Sequence, residues 1–168
     1  MKLDSRGFTI LEIIITLAIT VIVITMSGRF FITNIKSYGR INDSSEIQDQ
    51  AQFVSVYLDD KISKSSGVVL VKNVKNQIAN ATNGAFYIKE IEFDSSNSKL
   101  NINQNFKFLN NSISCNNMVL GNYLDSFYVS PIPSDYTYIE ARGIKYKLRF
   151  LKNDSEYILE RSIYFRNK

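Results

Sequence analysis

The sequence predicts an α+β chain. One long N-terminal helix has a protruding hydrophobic half and packs by its C-terminal half on the antiparallel β-sheet of a globular head. Three observations predict this. No proline interrupts residues 8–66, and apolar residues recur there at helical spacing. From Gly67 onward the period changes to two, the alternation of strands with one buried face. The opening of the helix, Phe8 to Met26, is a 19-residue run of almost uniformly apolar side chains, close to the length that crosses a bilayer.

Within the helix, residues 8–28 are apolar all round, whereas 29–66 is amphipathic. Phe31, Ile35, Tyr38, Ile47, Ala51, Val54, Leu58 and Ile62 recur at intervals that fall on one face. Asp43, Glu46, Asp49, Gln52, Asp59 and Lys61 fill the opposite one. Gly67, after Ser65-Ser66, is the expected stop, and Gly28 and Gly39 are the places where the helix could bend. Thr16, Thr20 and Thr25 are expected to bond back to helix carbonyls.

Residues 67–168 read as a β-rich head. Val68 to Val71 is a short strand, and Ala85 to Phe93 forms a hairpin with Lys99 to Asn103 across the loop Asp94–Ser98; Phe106 to Leu109 extends or pairs with it. Asn122 to Ser130 is a further strand, closed by Pro131-Ile132-Pro133. In Ile144 to Phe150 apolar and basic residues alternate, with Ile144, Tyr146, Leu148 and Phe150 on one face. Lys152-Asn153-Asp154-Ser155 then turns into a returning strand from Tyr157 to Phe165. Such strands need a cover, and the amphipathic half of the helix supplies it. The Asn- and Lys-rich stretch 72–84 is expected to be a mobile loop. Asp59-Asp60 and the pair Glu90 and Glu92 are expected on solvated faces.

Composition narrows the function. The chain has 168 residues, enough for one long helix and one small domain, with 20 cations against 16 anions. It contains no His, which removes the commonest general base and metal ligand. No Ser/Lys, Cys/His or metal-spaced cluster stands out, so no catalytic residue, metal or cofactor is expected and an enzyme is disfavoured. The single Cys115 cannot form an intrachain disulfide and reads as a small buried hydrophobe between Ile113 and Met118. A net charge of +4 does not by itself establish nucleic-acid binding.

The most informative stretch is Arg6-Gly7-Phe8-Thr9-Ile10-Leu11-Glu12. It places one carboxylate in a segment that otherwise belongs in lipid, where insertion scales charge about 2.5–3.5 kcal/mol for it. A Sec signal peptide fits poorly: the apolar run is too long, and Ser27-Gly28-Arg29 replaces a small-x-small cleavage site. A plain membrane anchor explains the run, with Lys2 and Arg6 holding the N-terminus in the cytoplasm, but leaves Glu12 and the Gly7-Phe8 junction unexplained. The stretch resembles the class III signal of type IV prepilins and type II secretion pseudopilins. In that family a short charged leader ends in Gly, cleavage precedes a Phe, and a Glu is fifth in the mature chain. Gly7, Phe8 and Glu12 occupy all three places. The helix Ser45 to Ile62 and the ending Ile163-Tyr164-Phe165-Arg166-Asn167 are similar to the W/J-type minor pilins and pseudopilins. Residues 72–142 carry no part of the resemblance. Where many major pilins have a helix-kinking proline, this chain has Arg29.

The resemblance implies a non-catalytic minor subunit of a type IV pilus-like or secretion filament, in a tip or initiation complex. Residues 1–7 are then a leader removed by prepilin peptidase, and residues 8–26 insert in the membrane. The new α-amino group of Phe8 is N-methylated. The protein is single-pass with a cytoplasmic N-terminus before processing and part of an extracellular filament afterwards, among other minor and major pilin subunits. Glu12 lies four residues from Phe8 and so on the same helix face. The resemblance assigns it to pairing with the N-terminus of a neighbouring subunit; a salt bridge within its own helix is the alternative. A filament-borne binding module, for DNA uptake or adhesion, is the second class. Lys145, Lys147 and Arg149 with Phe127-Tyr128 and Tyr136-Thr137-Tyr138 would carry it. DNA binding is possible but not favoured, because the same residues read as a solvated hairpin face opposite core aromatics.

Overall fold

The computed structural model of the protein describes residues 9–94 and 103–166. The chain divides into two units, Met1–Ile41 and Asn42–Lys168. One helix, α1 (Ile10–Lys64), runs through the boundary without a break at Gly28 or Gly39.

In the first unit the described apolar side chains, from Ile10 to Ile41, are all exposed. Phe31, Ile35 and Tyr38 continue the spacing of the buried face but bury nothing within the chain. Thr16, Thr20 and Thr25 donate to the carbonyls of Glu12, Thr16 and Val21, the back-bonding expected of them.

In the second unit the buried helical face is Ile47, Ala51, Val54, Ser55, Leu58 and Ile62. After Lys64 the helix stops. Ser65 donates its hydroxyl to the Lys61 carbonyl (2.6 Å), and Lys61 and Lys64 complement the negative end of the helix dipole. The strands are β1 (Val68–Asn73), β2 (Phe86–Phe93), β3 (Gln104–Leu109), β4 (Ser112–Cys115), β5 (Met118–Gly121), β6 (Leu124–Ile132), β7 (Gly143–Lys152) and β8 (Ser155–Tyr164). They form one antiparallel sheet in the order β5-β4-β3-β2-β6-β7-β8, with β1 also paired to β2. Its inner face and the helix share one core, in which Ile144, Tyr146, Leu148 and Phe150 of β7 are buried as their alternation requires. The β7–β8 ladder pairs ten residues without a shift, from Gly143↔Tyr164 to Lys152↔Ser155.

Most of the strand expected at Lys99–Asn103 and the loop before it fall at 95–102, outside the described residues; β3, expected to extend or pair with that hairpin, pairs with β2 through Ile91↔Phe106, while β2 also pairs with β1 and β6. The strands β4 and β5 stand where the sequence pattern marks no strand. Each is closed by a two-residue asparagine turn, Asn110-Asn111 and Asn116-Asn117, with all four φ between 47° and 69°. Asparagine tolerates this left-handed region, and two such residues in succession make the tight hairpin turn whose twist suits β-strands. Within the stretch 72–84, residues 72 and 73 belong to β1, and hydrogen bonds tie the remainder to the head. The Asn80 side chain accepts from Val71 N–H (2.6 Å) and donates to the Val69 carbonyl (2.7 Å), while Gly84 N–H bonds Ser134 (3.2 Å).

The carboxylates expected to be simply solvated also have structural partners. Asp59 accepts the buried Tyr146 hydroxyl at 2.5 Å. Glu90 is 12% exposed and bonds Lys72 (2.7 Å) and Asn105 (2.8 Å), with Lys107 3.7 Å away. Burial raises its pKa, but the bonds from Lys72 and Asn105 outweigh this and hold the carboxyl below its usual range. On the helix, Asp43 and Glu46 together grip Lys152 at the end of β7, and Asn153 of the following turn donates to Asp43 (2.7 Å). Hydrogen bonds to Glu46 and then Asp43 push the Lys152 pKa up.

Candidate functional site

The start of α1 is built around Glu12. Thr9 precedes the first helical residue and Glu12 is the third residue of the helix. The Thr9 hydroxyl oxygen accepts from Glu12 N–H at 3.3 Å, and the Glu12 carboxylate accepts from Thr9 N–H at 3.3 Å and from the Thr9 hydroxyl at 3.4 Å. This reciprocal pair is a capping box, which satisfies donors that every helix N-terminus leaves orphaned. A carboxylate in the first turn also meets the positive end of the helix dipole. Among the described residues of its own helix, Thr9 is thus a hydrogen-bond partner of Glu12. The Thr-x-x-Glu spacing of Thr9 and Glu12 is the sequence signal for this cap. Gly7 and Phe8, the two other residues of the expected processing site, lie outside the described residues.

The basic and aromatic residues that would carry nucleic-acid binding separate in space. Phe127 and Tyr138 are core side chains, and the Tyr138 hydroxyl donates to the Gly84 and Val129 carbonyls (both 3.0 Å). Burial pushes the Tyr138 phenol pKa up. Lys145, Lys147 and Arg149 do share the outer face of β7, but two of them are paired. Lys145 meets Glu160 at 2.6 Å, and Arg149 meets Glu156 at 2.6 Å and Asp125 at 3.2 Å. The hydrogen bond and charge of Lys145 hold the Glu160 carboxyl below its usual range. Tyr128 joins this face beside Tyr87, which the sequence did not single out. Cys115 is buried, and burial raises its thiol pKa, as suits a core residue rather than a nucleophile. Among the described residues no three Cys or acidic side chains converge to hold a metal ion.

Taken together, α1 and the sheet define an α+β, pilin-like fold whose N-terminal helix is long and apolar enough to cross a membrane. The model of the prokaryotic N-terminal methylation motif matches residues 2–28, and this motif is the signal of type IV pilins and pseudopilins. No curated protein matches the chain, and no solved structure does. The matched residues contain Gly7, Phe8, Thr9 and Glu12, so the capping box lies inside the motif.

Proposed function

We propose that the chain is a non-catalytic minor pilin or pseudopilin. It inserts in the membrane through residues 8–26, is cleaved between Gly7 and Phe8 by prepilin peptidase, and joins a type IV pilus-like or type II secretion-like filament in its tip or initiating complex. The observation that carries this reading is the methylation motif over residues 2–28 with a single carboxylate in its apolar helix. Cleavage would free the α-amine of Phe8. In apolar surroundings that amine and Glu12 would each be costly alone and favourable as a pair. Pairing between neighbouring subunits would fix their axial register, because only one stagger satisfies both charges. Arg29, in place of a kinking proline, and the pair Arg166-Asn167 following Phe165 in the sequence support a minor rather than a major subunit.

The test is the mature N-terminus. The full chain, produced in a host with an active prepilin peptidase, is expected to begin at N-methylated Phe8 by mass spectrometry. Removal of residues 1–7 takes away Lys2, Arg6 and Asp4 and leaves 18 cations against 15 anions. A chain that begins at Met1, or beyond residue 26, contradicts the proposal.

A further inference from the structure

Pairing across β2, β6, β7 and β8 lines up one row of outward side chains: Tyr87↔Tyr128, Tyr128↔Lys147 and Lys147↔Glu160. The flanking register Ser126↔Arg149↔Ile158 lies on the same face. Together these rows line a basin of about 520 Å³, a volume within the range of small-ligand sites. Its apolar part is real surface. Tyr87 is 55% and Ile158 47% exposed, and the two tyrosine rings meet edge to face at 5.2 Å.

The charges on this face cancel. Lys145, Lys147 and Arg149 are balanced by Glu160, Glu156 and Asp125, and Lys145 and Arg149 already pair with those carboxylates. A polyanion gains little from such a surface, since its affinity comes from cations free to neutralise phosphates. A protein partner would have to bury these ion pairs, whereas the cores of protein interfaces are depleted of charge. What remains is an uncharged ligand with apolar patches for the tyrosine rings and many hydroxyls for fixed donors and acceptors. We propose that the outer face of β2-β6-β7-β8 binds a neutral oligosaccharide, with Tyr87 and Tyr128 as the platform and Lys147, Glu160 and Ser126 as hydrogen-bonding partners.

The experiment uses the full chain in detergent micelles. It is applied to immobilised neutral tetrasaccharides (maltotetraose, cellotetraose, chitotetraose), to sialyllactose and to an oligothymidine, and any binding is then titrated. Retention on at least one neutral sugar is expected, with Tyr87→Ala and Tyr128→Ala each weakening it about tenfold, the scale of one lost aromatic contact. Tyr87 is exposed enough that its replacement leaves the core intact, which an unchanged thermal midpoint checks. No retention on any neutral probe, stronger retention on sialyllactose or the oligothymidine, or full binding by Tyr87→Ala would each overturn the assignment.

Discussion

Replacing Glu12 with glutamine separates the local job of this side chain from its proposed one. The carboxylate accepts the Thr9 N–H and hydroxyl, and a glutamine oxygen can keep that box, because the third helical position needs only an acceptor. What glutamine removes is the charge. For a single helix in a bilayer that charge is a cost of about 2.5–3.5 kcal/mol near the centre and less near the end, so the variant inserts at least as well as the parent. Glu12→Ala gains the same relief and gives up the box, a loss of roughly 0.3–1.5 kcal/mol. In a filament the sign reverses. If the carboxylate pairs with the Phe8 amine of a neighbour, its loss leaves an ammonium unpaired in apolar surroundings, at about 3–5 kcal/mol per contact. That corresponds to a roughly 10²- to 10⁴-fold loss of incorporation. Both variants are therefore expected in the membrane fraction, with a mature N-terminus by mass spectrometry, and absent from sheared filaments by immunoblot. Glu12→Gln entering filaments like the parent would refute the charge pairing. If Glu12→Ala alone were excluded, the role of Glu12 would reduce to capping.

Tyr146→Phe removes a hydroxyl that reaches Asp59 at 2.5 Å and the Ser55 carbonyl at 3.4 Å. Bonds to a carboxylate contribute about 1.5–3 kcal/mol, and since Asp59 is partly exposed and can regain water, about 1.5–2 kcal/mol is expected from urea unfolding of the full chain in micelles. A midpoint equal to the parent's contradicts this. Acid should weaken the same domain through the grip on Lys152. Asp43 is held below its ordinary 3.8 by Asn153 and then Lys152, and Glu46 below 4.5 by Lys152 and then Tyr123. Lowered values mean stability present above about pH 4.5 and lost as pH falls through the folded-state values, so Lys152→Met should flatten the fall between about pH 5 and 3. An identical acid profile in that variant argues against the grip. In alkali the sign is opposite. Burial and then Asp59 raise Tyr146 from 10.0, so its contribution is complete below about pH 10 and lost above. Finally, a Cβ at Gly121 would stand 2.6 Å from Val54 Cγ2 and 3.1 Å from Gln50 Oε1. Gly121→Ala should thus cost about 1–3 kcal/mol by overpacking, and adding Val54→Ala should recover part of it in a double-mutant cycle; simple additivity would place the strain elsewhere.

What was legible in the sequence was what a period or a spacing encodes. Ile47 to Ile62 on the helix and Ile144 to Phe150 on β7 are buried where the 3.6 and 2.0 repeats put them. Periodicity cannot say whether an apolar face finds its partner in the same chain, and so Phe31, Ile35 and Tyr38 share the helical spacing yet are exposed. Short strands such as β4 and β5 hold too few residues for a period to register, and their hairpins were written in paired asparagines rather than in the commoner Asn-Gly. The row Tyr87-Tyr128-Lys147-Glu160 depends on strand order and register, which bring together residues far apart in sequence.

The N-terminal site was half legible in the same sense. The motif announces Glu12 by its charge, and only the geometry shows that charge held in a cap with Thr9. This bears on assembly. A carboxylate with no partner would resist the membrane, and one with a strong internal partner would resist exchange. The Thr9 bonds, at 3.3 and 3.4 Å, lie at the long end of useful hydrogen bonds. Thr9 offers that carboxylate only neutral donors, whereas an ammonium from a neighbouring chain would bring a full opposite charge in apolar surroundings, where the attraction is far stronger than in water. The exchange that the proposed filament contact requires would therefore run downhill. Replacing Thr9 with alanine removes the hydroxyl but leaves the charge of Glu12, so it should loosen the helix start while sparing incorporation, the reverse of Glu12→Gln.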